Sequence, residues 1–175
     1  MILNNYWAII TKAPACHPTS WGEISSTGLN LRGTSGQIYT IYYTGQNNTA
    51  NPWNYMASMF ADIGNGTSEP ASTDYCLQSS LKNYCEQYTE SFNTVAENGK
   101  RITTVTITGV NSYNADVPWL QPMVIREVGI GGKLYVHTGM WGGPSPFLYV
   151  RELLPEPIVV PRNRGFSLTL EWVQE

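Results

Sequence analysis

Phe92-Asn-Thr-Val-Ala-Glu97, Asn98-Gly99-Lys100 and Arg101-Ile-Thr-Thr-Val-Thr-Ile-Thr108 form the stretch whose reading decides the fold. Asn-Gly is the preferred central pair of a two-residue type I′ turn, because both positions need positive φ. In the second arm Thr103, Val105 and Ile107 share one face, while Thr104, Thr106 and Thr108 share the other. Period 2 with one apolar and one polar face describes a half-buried strand. Ile102 breaks the alternation, which predicts a bulge or a covered outer surface.

Strand signals continue outward in both directions. Gln37-Ile-Tyr-Thr-Ile-Tyr-Tyr-Thr44 is rich in β-branched and aromatic residues and is bounded by Gly36 and Gly45. Ile24–Arg32 is a weaker strand candidate. Met56–Ile63 reads as helix or strand, and its position before Gly64-Asn-Gly66 favours strand. Leu77–Tyr84 is ambiguous between helix and strand. Downstream, Met123–Ile130, Lys133–His137, Phe147–Leu154 and Phe166–Val173 are expected as strands. Pro155 and Pro157 end the third of these, and Pro161–Gly165 turns into the last. Only the start of the chain looks helical: Ile2, Leu3, Tyr6, Trp7 and Ile10 recur at helical spacing behind Asn4-Asn5, a capping pair, and Pro14 stops the pattern. The expected fold is all-β, an antiparallel β sandwich of jelly-roll or Ig-like type over residues 23–175, preceded by a short N-terminal helix and arm over 1–22.

Composition bounds the function. Of 175 residues only 13% are charged, Lys+Arg 10 against Asp+Glu 13, for a net charge of −3. That excludes a long solvated helix and leaves no electrostatic footprint for nucleic acid or an anionic membrane. Six Trp and eleven Tyr supply ample surface to bury, so disorder is excluded as well. No apolar run approaches the roughly 18 residues of a membrane helix. Met1-Ile-Leu3 runs directly into Asn4-Asn5 with neither a basic nor a long apolar region, so no signal peptide is expected and synthesis is placed in a cytoplasm. Three cysteines, Cys16, Cys76 and Cys85, suit that compartment as half-buried thiols. A zinc site from Cys16, His17, Cys76 and Cys85 lacks any C-x-x-C spacing.

No catalytic constellation emerges, and neither an enzyme nor a cofactor is expected. The chain has no G-x-S-x-G elbow, and its two histidines, His17 and His137, read as turn or surface residues. Gly129-Ile-Gly131-Gly132-Lys133 lacks P-loop spacing and reads as a tight turn. Glu127, Glu152 and Glu171 fall in expected strands, where a pair could serve a glycosidase; edge charges or ion pairs are the simpler roles. Trp53 and Trp141 sit in Pro- and Gly-rich contexts that read as loops, where aromatics offer contact surface, so a glycan-binding adhesin is the alternative function. Ile2, Leu3, Trp7 and Ile10 are expected to bury against something outside their own sandwich. Glu127 and Arg151 each stand mid-strand among apolar residues, and a bridge between them would satisfy both.

Several pieces of the chain also form a recurring pattern: Ala61-Asp-Ile-Gly-Asn-Gly-Thr-Ser-Glu-Pro-Ala-Ser-Thr-Asp-Tyr-Cys-Leu77, the Asn-Gly hairpin, Ile125-Arg-Glu-Val-Gly-Ile130, Phe147-Leu-Tyr-Val-Arg-Glu-Leu-Leu-Pro155 and Phe166-Ser-Leu-Thr-Leu-Glu-Trp172. In this order they resemble small structural proteins of tailed bacteriophages, with G-x-G-T, Pro and Asp, then E-V-G-I, then L-x-x-R-x-x-L-P, over residues 61–173. The resemblance implies a virion component without enzymatic activity, a capsid decoration, head-fibre attachment or neck or tail accessory. Its implied partners are capsid, neck or tail subunits and copies of itself. Residues 1–22 and the surroundings of Trp141 have no counterpart in that pattern.

Overall fold

The computed structural model describes residues 1–5, 29–41, 56–112, 122–138 and 141–174. The chain is all-β. Its strands are β1 (Leu29–Arg32), β2 (Ile38–Ile41), β3 (Met56–Gly64), β4 (Cys85–Glu97), β5 (Lys100–Asn111), β6 (Met123–Thr138), β7 (Trp141–Val160) and β8 (Gly165–Gln174). They form a two-stranded sheet β1-β2 and two three-stranded sheets, ordered β3-β6-β7 and β4-β5-β8. The chain divides into two compact units. One comprises Met1–Phe60, Glu69–Leu77 and Gly129–Glu152; the other comprises Ala61–Ser68, Gln78–Val128 and Leu153–Glu175. The division passes through β3, β6 and β7.

The hairpin forms as its sequence dictates. β4 and β5 pair antiparallel, with Glu97 opposite Lys100, and Asn98 and Gly99 both have positive φ, 50° and 77°. Thr103, Val105 and Ile107 are buried. No bulge answers the misplaced Ile102; it lies in unbroken register between Val95 and Val173, forming an apolar row on the outer face. The bulge lies farther along β4, between Glu86 and Thr89.

Two expectations about punctuation need correction. Gly129–Gly132 is not a tight turn, because β6 runs through it without a break. Here glycine provides room: a Cβ on Gly131 would meet the Phe147 carbonyl oxygen and the Phe60 ring, and one on Gly132 would lie 2.6 Å from the Tyr149 hydroxyl. β7 likewise continues past Pro155 and Pro157 to Val160, and it starts at Trp141, so Trp141 opens a strand and not a loop. β7 ends the β3-β6-β7 order, and an edge strand tolerates residues with no N–H to donate. Leu77–Tyr84 is irregular chain with a single 3₁₀ turn at Lys82–Tyr84.

These glycines predict a graded pair of effects. Nothing lies within 4 Å of a Cβ on Gly99, so Gly99→Ala is expected to cost only the left-handed backbone term, about 1–2 kcal/mol. Gly131→Ala meets backbone and an aromatic ring and should cost more. Urea unfolding of both variants checks the order.

In the first unit Leu3, Phe60, Leu77 and Leu148 form a buried cluster. Leu3 is 0% exposed, so this candidate for outside contact is spent on its own unit. The start of the chain is tied to β7: Leu3 N donates to Tyr149 O at 2.7 Å, Arg151 N donates to Met1 O at 3.1 Å, and Ile2 bridges Val150. The Met1 ammonium donates to Arg151 O and pairs with Glu152 Oε1 at 3.0 Å. Asn4 and Asn5 have helical backbone, and the Asn5 side chain donates to Arg32 O and accepts from Arg32 N. The rest of the expected helix, with Trp7 and Ile10, lies outside the described residues. In the second unit Ile63, Leu81, Val105, Ile107, Met123, Ile125 and Val160 are buried.

Candidate functional site

Period 2 along β6 puts Met123, Ile125 and Glu127 on one buried face, so a carboxylate sits among apolar neighbours at 0% exposure. Three backbone N–H groups meet it. Gly66 N donates to Oε1 at 3.1 Å, Ser79 N to Oε1 at 3.0 Å and Gln78 N to Oε2 at 3.3 Å. The donors converge because the segment after β3 and the segment before the 3₁₀ turn are stitched together. Asn65 N donates to Ser79 O, Leu81 N donates to Ile63 O, and Gly64 bridges Ser80. The Gln78 side-chain oxygen accepts from Thr67 and Ser68 N, closing the same turn. A Cβ on Gly64 or Gly66 would stand 2.5 Å from Glu127 Oε1, so the G-x-G spacing is what lets the chain pass this close. The G-x-G-T and E-V-G-I pieces therefore meet as a loop wrapped around a carboxylate.

Asp74 and Arg151 pair within the other unit. Arg151 is 2% exposed, and its Nη1 donates to Asp74 Oδ2 at 2.6 Å, with Asp74 26% exposed. The same carboxylate oxygen accepts from Ala71 N, and Asp74 N donates to Ala71 O, so a short turn aims the acid at the guanidinium. Glu127 and Arg151 are both buried. They belong to different units, so the bridge between them remains an expectation from the sequence.

A second polar cluster, which the sequence reading missed, lies in the second unit. Asp62 accepts from the Ser80 hydroxyl at 2.8 and 3.0 Å and from Ile63 N at 2.8 Å. Lys82 Nζ pairs with Glu90 Oε1 at 3.2 Å and stands 4.7 Å from the centre of the Tyr88 ring. Glu90 also accepts from Ala61 N, and the Tyr88 hydroxyl donates to Ala61 O at 3.1 Å. Cys85 Sγ lies 3.5 Å from Leu81 O and 3.8 Å from Met123 Sδ. Burial pushes Asp62 above the ordinary carboxylate value, with the Ser80 hydrogen bond opposing it. Burial, then the Asp62 charge, raises the Cys85 thiol to about 11; burial, then Asp62 and Glu90, raises Tyr88. Burial raises Tyr149 in the other unit as well.

The sign of the alkaline response follows. Above pH 9.0, the ordinary thiol value, unfolded Cys85 loses a proton that the folded state keeps, and above 10.0 the two tyrosines do the same. The unfolded state then binds fewer protons, so stability falls as pH rises through that range. Thermal melts from pH 8 to 11 should show a steady drop in Tm. Tyr88→Phe should flatten it, and an unchanged slope would remove Tyr88 from the cause.

The remaining candidates are dispersed. Glu152 is exposed beside the amino terminus, and Glu171 lies on the exposed outer face of β8 opposite Thr104. Glu127 is sealed and Glu171 faces solvent, so these two share no open cleft. Trp53, Cys16 and His17 lie outside the described residues, and nothing is described of the Trp141 and His137 side chains. Cys76 and Cys85 are half-buried thiols, and among the described residues no group of three His, Cys, Asp or Glu could hold a metal ion. Neither a family model, nor a curated protein, nor a solved structure matches the chain.

Proposed function

We propose that this chain is a non-enzymatic structural component of a tailed-phage virion, a capsid decoration, head-fibre attachment or neck or tail accessory. It assembles in the host cytoplasm through contacts with capsid, neck or tail subunits and with copies of itself. The fold that goes with this reading is an antiparallel β sandwich carrying a short N-terminal helix. One observation carries the proposal: the motif residues behind the phage resemblance are spent on holding the fold. The glycines of G-x-G-T admit the E-V-G-I carboxylate, and the Asp of the same segment holds the Arg of L-x-x-R-x-x-L-P. Motif residues that serve as latches suit a scaffold whose surface is left to docking. Mass spectrometry of purified phage particles, with antibody labelling under the electron microscope, tests it. The chain should copurify at fixed copy number and label one site on head, neck or tail. Its absence from intact particles would overturn the proposal.

A further inference from the structure

We propose that Asn98 is a self-modification site, losing its side-chain amide through attack by the Gly99 backbone nitrogen, and that Glu127 holds the same chemistry off Asn65. The sequence contains two Asn-Gly dipeptides, Asn65-Gly66 and Asn98-Gly99. In such a pair the glycine nitrogen can close a five-membered ring on the side-chain carbonyl carbon, because no Cβ crowds the attacking atom. Hydroxide takes the proton of the glycine N–H and the new N–C bond forms. The bond from that carbon to the amide nitrogen breaks, and ammonia leaves with a proton taken from water. Water then opens the succinimide at either carbonyl, giving aspartate or isoaspartate. Water is the only co-reactant consumed, and no oxidation state changes.

The two sites differ in what holds the glycine nitrogen. Asn98 and Gly99 are both exposed, and a Cβ on Gly99 would have nothing within 4 Å. The hairpin ladder closes with Glu97 opposite Lys100, so the Gly99 N–H lies outside it, and among the described residues nothing accepts from it. Residues 93–100 are exposed throughout, so the tip can open without disturbing the core. Opening lets the Asn98 backbone rotate to the angle that attack requires.

At Asn65 the chain is fixed on both sides. Asn65 N donates to Ser79 O at 3.0 Å, and Gly66 N donates to Glu127 Oε1 at 3.1 Å. Gly66 is buried, and a Cβ built on it would stand 2.5 Å from both Glu127 Oε1 and Gln78 Cβ, so this turn has no room to swing toward the Asn65 side chain. The carboxylate also opposes the amide anion that attack needs, since two like charges at contact repel. The latch that closes the G-x-G loop is therefore a chemical shield as well. Conversion at the unshielded site changes the hairpin tip. Aspartate adds one negative charge to a net charge of −3, next to Glu97. Isoaspartate inserts a methylene into the main chain, and a two-residue loop carrying it no longer fits a type I′ turn.

Incubation of the full chain at mildly alkaline pH, below its melting transition, tests both halves, with the products read by peptide mass spectrometry after digestion in acid. Native wild type should gain the amide-to-acid mass change at Asn98 and keep Asn65 intact. In urea the two asparagines should convert at similar rates. Gly99→Ala should slow conversion at Asn98, because a Cβ then crowds the nitrogen. Glu127→Ala, assayed where its melting curve shows it folded, should convert at Asn65 while Asn98 keeps its wild-type rate. An Asn98 that stays intact in the native chain overturns the proposal, and so does equal conversion of the two sites without urea. A preference for Asn98 that persists in urea would trace the selectivity to neighbouring sequence and refute the shield. An intact Asn65 in folded Glu127→Ala would refute it too. Should Glu127→Ala fail to fold, the wild type with and without urea still decides.

Discussion

Arg151→Ala is expected to lower the unfolding free energy by about 3–5 kcal/mol, the range for breaking a buried ion pair. A pair on the surface would lose less than about 1 kcal/mol. The large value follows from placement. Arg151 is among the largest fully buried side chains of the described residues, and Asp74 accepts from its guanidinium at 2.6 Å. Truncation removes the aliphatic stem as well as the charge, so a packing loss adds to the electrostatic one. Arg151→Met restores part of the stem and should recover part of the loss. Arg151→Lys keeps a charge but loses the planar fork and should fall between wild type and alanine. Asp74→Asn is expected to cost less than Arg151→Ala, because a neutral amide oxygen can still accept and the group is partly hydrated. Urea unfolding followed by Trp fluorescence, with the m-value held constant across the series, gives the comparison. A loss below about 1 kcal/mol for Arg151→Ala would mean that the guanidinium is hydrated rather than buried.

How much of this was legible in the chain depends on whether the partner could be read from residue types. Asn98-Gly99 needs only its own φ preferences, and the Thr/Val/Ile alternation needs only period 2, so the hairpin and the buried face of β5 could be read directly. Gly131-Gly132 could not, because glycine serves both tight turns and close approach, and Phe60 and Phe147, which decide between them, are distant in sequence. Pro155 and Pro157 are ambiguous in the sequence for a related reason. Whether a proline ends a strand depends on which strand lies beside it, and β7 lies at a sheet edge. Leu3 looked like an apolar residue on an arm until Phe60, Leu77 and Leu148 gathered around it.

The charged pairs show the same limit. Two mid-strand charges, Glu127 and Arg151, could be recognised as needing partners because burying a charge is costly. The Asp that meets Arg151 had a sequence signal, since both belong to the recurring pattern. The groups found around Glu127 had a fainter one. Backbone N–H donors carry no residue identity, and only the two glycines of G-x-G marked where the chain had to come close. The cluster of Asp62, Lys82, Tyr88 and Glu90 carries no sequence signal, because its members come from two strands and a 3₁₀ turn with no shared spacing.

Glu127→Ala is expected to cost about 3–5 kcal/mol, enough to leave a domain of ordinary stability marginal. Removing the carboxylate strips the acceptor from the buried N–H of Gly66 and the part-buried N–H groups of Gln78 and Ser79, and a buried donor left unsatisfied costs about 1–3 kcal/mol, a part-buried one less. The site can relax only in part, because the segments carrying these donors are held together by their own backbone hydrogen bonds. Glu127→Gln separates charge from shape. Its amide oxygen can still accept from Gly66 and Ser79, where Oε1 now stands, but its NH₂ group then faces the N–H of Gln78, donor against donor. The loss should be smaller, about 1–3 kcal/mol. Glu127→Asp keeps the charge but shortens the reach by one methylene, so it should weaken all three bonds together. Hydrogen exchange adds the local readout. In Glu127→Gln the amide of Gln78 should exchange faster than those of Gly66 and Ser79, whereas equal acceleration would mean that the loop opens as one piece. A glutamine variant as stable as wild type would show that the loop needs an acceptor of this shape and not a charge, and the carboxylate would then owe its place to something other than these three donors.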